Sequence, residues 1–93
     1  MSEGLGIMGV KIKVMPTSPS VDLMEIELAI KKLVEDFRGH NREYVTEPVA
    51  FGLKALIAFF EWPEEKPLEE FEEKIQKIKD VNSIQIIDMR KIA

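Results

Sequence analysis

Few residues in this chain have types and spacings that could do chemistry, and most reactions are excluded by what is missing. The 93 residues include no cysteine and a single histidine, His40. A thiol nucleophile, a disulfide, a thiolate metal site and a histidine-rich metal site therefore lack their ligands. His40 follows the end of an expected helix with no nucleophile paired to it, and it reads as a loop or cap residue. Pro16-Thr17-Ser18-Pro19, after the first apolar run, has neither the cysteine pair of a copper carrier nor the glycines and arginine of an acylphosphatase-type anion cradle. No cofactor or metal is expected. What remains is Glu47-Pro48-Val49-Ala50-Phe51-Gly52-Leu53-Lys54-Ala55-Leu56. Pro48 cannot donate to a ladder and belongs on an edge strand or near a bulge. Gly52 can take backbone angles closed to other residues, so Phe51 sits where the chain turns. Two readings stay open: a contact with something outside the protein, or a bulge whose phenylalanine folds back into the core.

The charge balance narrows the partner. Net charge is −4 with a pI near 5.0, which argues against a general nucleic-acid binder. Acids crowd Glu61, Glu64, Glu65, Glu69, Glu70, Glu72, Glu73 and Asp80, with lysines following at Lys74, Lys77 and Lys79. Pairs four apart (Glu70–Lys74, Glu73–Lys77) mark this run as a solvated helix face. The abundance of Lys and Glu beside scarce Asn, Gln and Cys hints at a hot-living source. No apolar stretch reaches the ~20 residues of a membrane span and no signal peptide is visible, so a cytoplasmic protein is expected.

The elements that must position these residues follow from periodicity. Residues 1–7 (MSEGLGI) read as a flexible tail, and Met8-Gly9 has the form of an alternative start; residues 8–93 read as one domain. Val10, Ile12 and Val14 alternate with Lys11 and Lys13, a half-buried strand. Asp22 is the expected N-cap of a first helix, with Glu25 completing a capping box and Val21/Ile26 a staple. Its stripe is Leu23, Ile26, Ile30, Leu33 and Phe37, and Gly39 closes it in a left-handed cap. Residues 42–49 and 53–62 read as strands, the second apolar enough to be covered on both sides, with Phe59 and Phe60 in the core. Pro67 opens a second helix with stripe Leu68, Phe71, Ile75 and Ile78. Residues 83–92 form the last strand, with Ile84, Ile86 and Ile87 apolar. The order βαββαβ predicts a ferredoxin-like α+β sandwich: a four-stranded antiparallel sheet with two helices on one face, and Lys11 and Lys13 on the other. The fold does not determine the function.

Over residues 8–92 the chain resembles the archaeal translation elongation factor 1-beta family. The resemblance rests on Val14-Met15-Pro16 with Ser18-Pro19 and Val21-Asp22-Leu23, the central Glu47-to-Leu56 segment, Val81-Asn82-Ser83-Ile84, and Asp88-Met89-Arg90-Lys91-Ile92. Here Lys54 is followed by Ala55 instead of a second basic residue, and Ala93 follows the usual end. Family members are guanine-nucleotide exchange factors, and the resemblance implies a partner, the GTPase elongation factor 1-alpha, bound in its GDP-loaded and nucleotide-free states. By position it implies that Lys91 acts near the partner's magnesium and phosphates. It likewise implies partner contacts at Phe51, Gly52, Lys54, Met89, Arg90 and Ile92. It implies no direct nucleic-acid or membrane binding and no small-molecule catalysis. The residues alone leave two other classes: a regulatory or scaffold module that self-associates through the open sheet face or the edge strand, and a weak RNA binder using Lys11, Lys13 and Lys54.

Overall fold

The computed structural model describes residues 6–93. Its elements run β1 (Ile7–Pro16), α1 (Leu23–Asp36), β2 (His40–Pro48), β3 (Lys54–Pro63), α2 (Glu69–Gln76) and β4 (Val81–Lys91). The strands form one sheet in the order β2-β3-β1-β4, with every neighbouring pair antiparallel. This is the expected ferredoxin-like sandwich.

The strict alternation in β1 dictates the two layers. Val10, Ile12 and Val14 are wholly buried beneath the helices, and Lys11 and Lys13 lie half-buried on the open face. β3 supplies Leu56, Ala58, Phe60 and Trp62 to the same covered side, where they meet Ile26, Ile30 and Val34 of α1 and Phe71 and Ile75 of α2. Aromatics lock the layer together: Trp62 and Phe71 have ring centroids 4.7 Å apart and Phe60 and Phe71 5.2 Å. Such pairs add about 0.5–1.5 kcal/mol each beyond the area they bury.

Several boundaries and contacts differ from expectation. β1 begins at Ile7, not Val10, because Ile7 and Met8 pair with Pro63 and Trp62; residues 1–5 of the expected tail lie outside the described residues. Asp22 caps α1 by accepting from the Met24 N–H at 3.0 Å, but Val34, absent from the expected stripe, is fully buried. The left-handed residue after α1 is Arg38 (φ 69°), not Gly39. Gly39 instead donates its N–H to the Val34 carbonyl at 2.8 Å. The glycine is needed for space, since a Cβ there would stand 2.7 Å from the Glu61 carbonyl oxygen and 3.2 Å from the Trp62 ring. His40 is the first residue of β2, registered with Glu61, not a loop or cap residue.

β3 is central in the sheet but only its one face is covered by helices. Phe59 therefore lies half-buried on the open face, with the Lys11 ammonium 5.5 Å from its ring centroid, while Phe60 is core. α2 starts after Leu68, so Pro67 precedes its first turn. Among the described residues the ion pairs within 4.0 Å are Lys31–Glu27, Arg42–Glu61, Arg90–Asp88 and Lys91–Glu64, so the expected Glu70–Lys74 and Glu73–Lys77 pairs are not closed.

Candidate partner-binding site

Pro48 ends β2, an edge strand, and the chain turns at once into β3. Leu53 donates its N–H to the Ala50 carbonyl and Val49 to that of Leu53, both at 2.9 Å, so Phe51 and Gly52 are the central residues of the turn. Both have positive φ, 56° and 77°, the pairing of a type I′ hairpin turn. This conformation suits Gly52 and disfavours Phe51, since a bulky L-residue there is an outlier. The turn also throws the phenylalanine clear of the fold: its side chain is 96% exposed. Of the two open readings, folding back into the core is thus excluded.

Beside the turn lies a cavity of about 310 Å³. Gly52, Lys54 and Thr46 wall it from the hairpin, and Pro16, Ser18 and Asp22 from the β1–α1 connection. Two of the sequence segments that carry the family resemblance, far apart in the chain, therefore meet at this end of the sheet.

The terminal segment occupies the opposite end. β4 pairs with β1 so that Met89 faces Val10, Arg90 faces Gly9 and Lys91 faces Met8. Between Asp88, opposite Lys11, and Ile86, opposite Ile12, one residue is extra: Ile87 forms a bulge. The bulge has a consequence for aim. It lets Ile86 and Met89, three apart, share the covered side, and it places Lys91 on that side while Asp88 and Arg90 point to the open face. There Arg90 Nε donates to Asp88 Oδ2 at 3.2 Å, and Gly9, Lys11, Phe59, Asp88, Arg90 and Ile92 surround a cavity of about 230 Å³. Met89 and Ile92 are about half exposed. The Lys91 ammonium reaches 3.6 Å from Glu64 Oε1.

The residues expected to act together are thus split. Phe51, Gly52 and Lys54 gather at the hairpin end, and Met89, Arg90, Lys91 and Ile92 at the other. Lys91 is level with Met8, and Met8 with Trp62; the run from Lys54 to Trp62 alone covers ~26 Å of strand. Glu64 was not foreseen beside Lys91. It lay in a run of acids read as a helix face, and a contact between positions so distant in the chain leaves no local signal. Among the described residues no group of three or more His, Asp or Glu gathers as a metal would require, and no helix is long and apolar enough to cross a membrane. Among the described residues the one strongly shifted group is Tyr44, whose phenol is pushed well above its ordinary value by burial, then by the charges of Glu27 and Glu35. It donates to Asn41 Oδ1 at 2.5 Å and belongs to the packing of β2 against α1.

The fold and these surfaces describe a small βαββαβ sandwich whose two sheet ends present protruding groups suited to a macromolecular partner. The sequence matches the EF-1 guanine nucleotide exchange domain over residues 9–92, and the chain belongs to that family. Elongation factor 1-beta of Methanococcus aeolicus is 38% identical over 86 residues, 91% of this chain and 97% of that protein. The same factor from Methanosarcina barkeri is 37% identical over 95% of this chain and 100% of its own length. Nanoarchaeum equitans elongation factor 1-beta is 36% identical over 82% of this chain and 94% of its own. These relatives support an archaeal translation factor with a guanine-nucleotide exchange role, which implies a GTPase partner. Among solved structures, the C-terminal domain of MgtC from Mycobacterium tuberculosis superposes with a TM-score of 0.64 at 16% identity, covering 99% of this chain and 93% of that one. The ACT domain from GTP pyrophosphokinase of Chlorobium tepidum does so with 0.55 at 13% identity, covering 89% and 99%. At such identities these two share the fold alone.

Proposed function

We propose that this protein promotes GDP release from elongation factor 1-alpha during translation elongation in the cytoplasm, docking through Phe51 and acting on the nucleotide site through Lys91. The observation that carries the reading is the exposed Phe51, held at φ 56° in a turn that would be less strained without it. Strain of this kind points to a use outside the fold. In this reading Gly52 permits the turn, Lys54 flanks the contact, and Met89, Arg90 and Ile92 line the second contact around Lys91.

The physics of the second contact is electrostatic. GDP is held on a GTPase largely by magnesium and by oriented donors around its phosphates. An ammonium brought close to the metal's position would repel the cation and favour its loss, weakening the partner's hold on the nucleotide. Lysine suits this task as a compact charge on a flexible stem. Linkage makes the effect reciprocal: a factor that weakens nucleotide binding is itself weakened by nucleotide, so incoming GTP ejects it. The test is release of fluorescently labelled GDP from the cognate elongation factor 1-alpha. Acceleration by the native protein is expected, and its absence overturns the reading.

A further inference from the structure

Lys91 is the last residue of β4, paired with Met8, where a four-carbon stem has little to restrain it. Three features of this end nevertheless constrain it. Ala93 and Ile92 are tied back to β1, the Ala93 carbonyl accepting from the Ile7 N–H and the Ile7 carbonyl from the Ile92 N–H, both at 2.8 Å. The β3–α2 loop is tied to the residue just before that strand, because Glu64 donates its N–H to the Gly6 carbonyl at 2.9 Å. That loop is anchored further on, where the Trp62 indole N–H donates to the Lys66 carbonyl at 2.8 Å and the Lys66 ammonium to that of Phe37. Gly6 then leaves the room in which the two side chains meet. A Cβ on it would stand 2.4 Å from Glu64 Oε1, 2.7 Å from Lys91 Cε and 2.9 Å from the Ala93 carbonyl oxygen.

We infer that Glu64 is a positioning residue for exchange: its carboxylate holds the Lys91 ammonium across the bare glycine at position 6, aiming the stem before the GTPase arrives. The inference rests on the exchange reading above. Glu64 touches no nucleotide in this scheme. It restricts the rotamers of a side chain that otherwise has several open to it, so it raises the fraction of docked complexes in which the ammonium is delivered. The pair is solvent-exposed, so its effect is modest, about threefold to fivefold in rate.

The experiment is labelled-GDP release from elongation factor 1-alpha over a range of exchange-factor concentrations. It uses the full chain carrying Glu64→Gln, Glu64→Asp, Gly6→Ala and Lys91→Ala, with the first and third also combined with the last. Glu64→Gln is expected to lower the saturating rate about threefold to fivefold and to leave the half-saturating concentration unchanged. Glu64→Asp keeps the charge and recovers part of the loss. Gly6→Ala keeps both charges but crowds them apart, and slows exchange similarly. In the Lys91→Ala background neither substitution slows exchange further, because the group being aimed is gone. Native rates in both Glu64→Gln and Gly6→Ala, with Lys91→Ala slow, overturn the positioning role and leave the exchange reading intact. An equal loss from Glu64→Gln with and without Lys91 also overturns it, since the carboxylate then acts on the partner directly. Native activity in Lys91→Ala overturns the reading on which the inference rests.

Discussion

Phe51 and Lys91 stand at opposite ends of one sheet, the first on the β2–β3 turn and the second registered with Met8 near the start of β1. A partner touching both must span the whole length of the strands. In the proposed mechanism this separation divides the work: the aromatic contributes affinity, and the ammonium contributes the rate of nucleotide loss. The two contributions are measurable apart.

Phe51→Asn tests the first. It puts Asn-Gly, the preferred type I′ pair, at a turn whose first central residue has φ 56°. The fold is expected to gain about 0.5–1 kcal/mol, read by chemical denaturation, because the strained bulky residue is gone and no core contact is lost. Half-saturation of exchange should rise about tenfold or more at an unchanged limiting rate, as for loss of an aromatic anchor. Unchanged half-saturation would remove Phe51 from the interface.

The bulge at Ile87 tests aim. Deleting Ile87 removes the extra residue and leaves Ile86 opposite Ile12, Asp88 opposite Lys11 and Lys91 opposite Met8, so Lys91 keeps the covered side and only the local bend and twist of β4 are lost. The protein is expected to keep its strand and helix content by circular dichroism and to retain most of its exchange activity, because the side on which Lys91 projects is unchanged. Loss of most activity in a folded deletion variant would show that the bend of the bulge, and not the side alone, aims Lys91.

Gly39→Ala addresses the frame. The added methyl meets the Glu61 carbonyl oxygen at 2.7 Å, a backbone atom that cannot swing away. A loss of about 1–3 kcal/mol is expected in urea denaturation, the range for overpacking a fitted contact. A neutral result would mean that α1 and β3 can part at this point without cost.

The raised Tyr44 phenol gives a pH dependence. Burial first, with Glu27 and Glu35 adding, keeps the phenol neutral in the folded state to a higher pH than in the unfolded chain. Above about pH 10 the unfolded state releases the proton while the folded state still holds it, so stability falls as pH rises from there and is fully present below. Tyr44→Phe should flatten that alkaline fall, and an identical fall in both proteins would trace it to other groups.

Much of this was legible in the chain. Alternation in Val10, Ile12 and Val14, the Asp22 cap and the βαββαβ order led to the observed sheet, because each is a local signal that agrees with the global topology. The family-bearing segments also stood out by residue type. Tertiary relations did not. Gly39 reads locally as a helix cap, yet its constraint comes from a strand beyond it, and the left-handed angle falls on Arg38. Phe59 reads as core because apolar runs do not say which face is covered. The exposure of Phe51 depends on a pair of φ values, and Glu64 comes to Lys91 only when the sheet closes. The adjacent pair Ile86-Ile87, coming after Ile84, carries a trace of the bulge, since it breaks the period of two.

In the proposed mechanism the Lys91 ammonium drives nucleotide loss. Its most direct measurement is the limiting rate of labelled-GDP release from elongation factor 1-alpha at saturating exchange factor, native against Lys91→Ala. A fall on the order of tenfold or more is expected, with a half-saturating concentration close to native, since the proposed docking contact at Phe51 is intact. A Lys91→Ala protein that saturates at the native rate would contradict the mechanism.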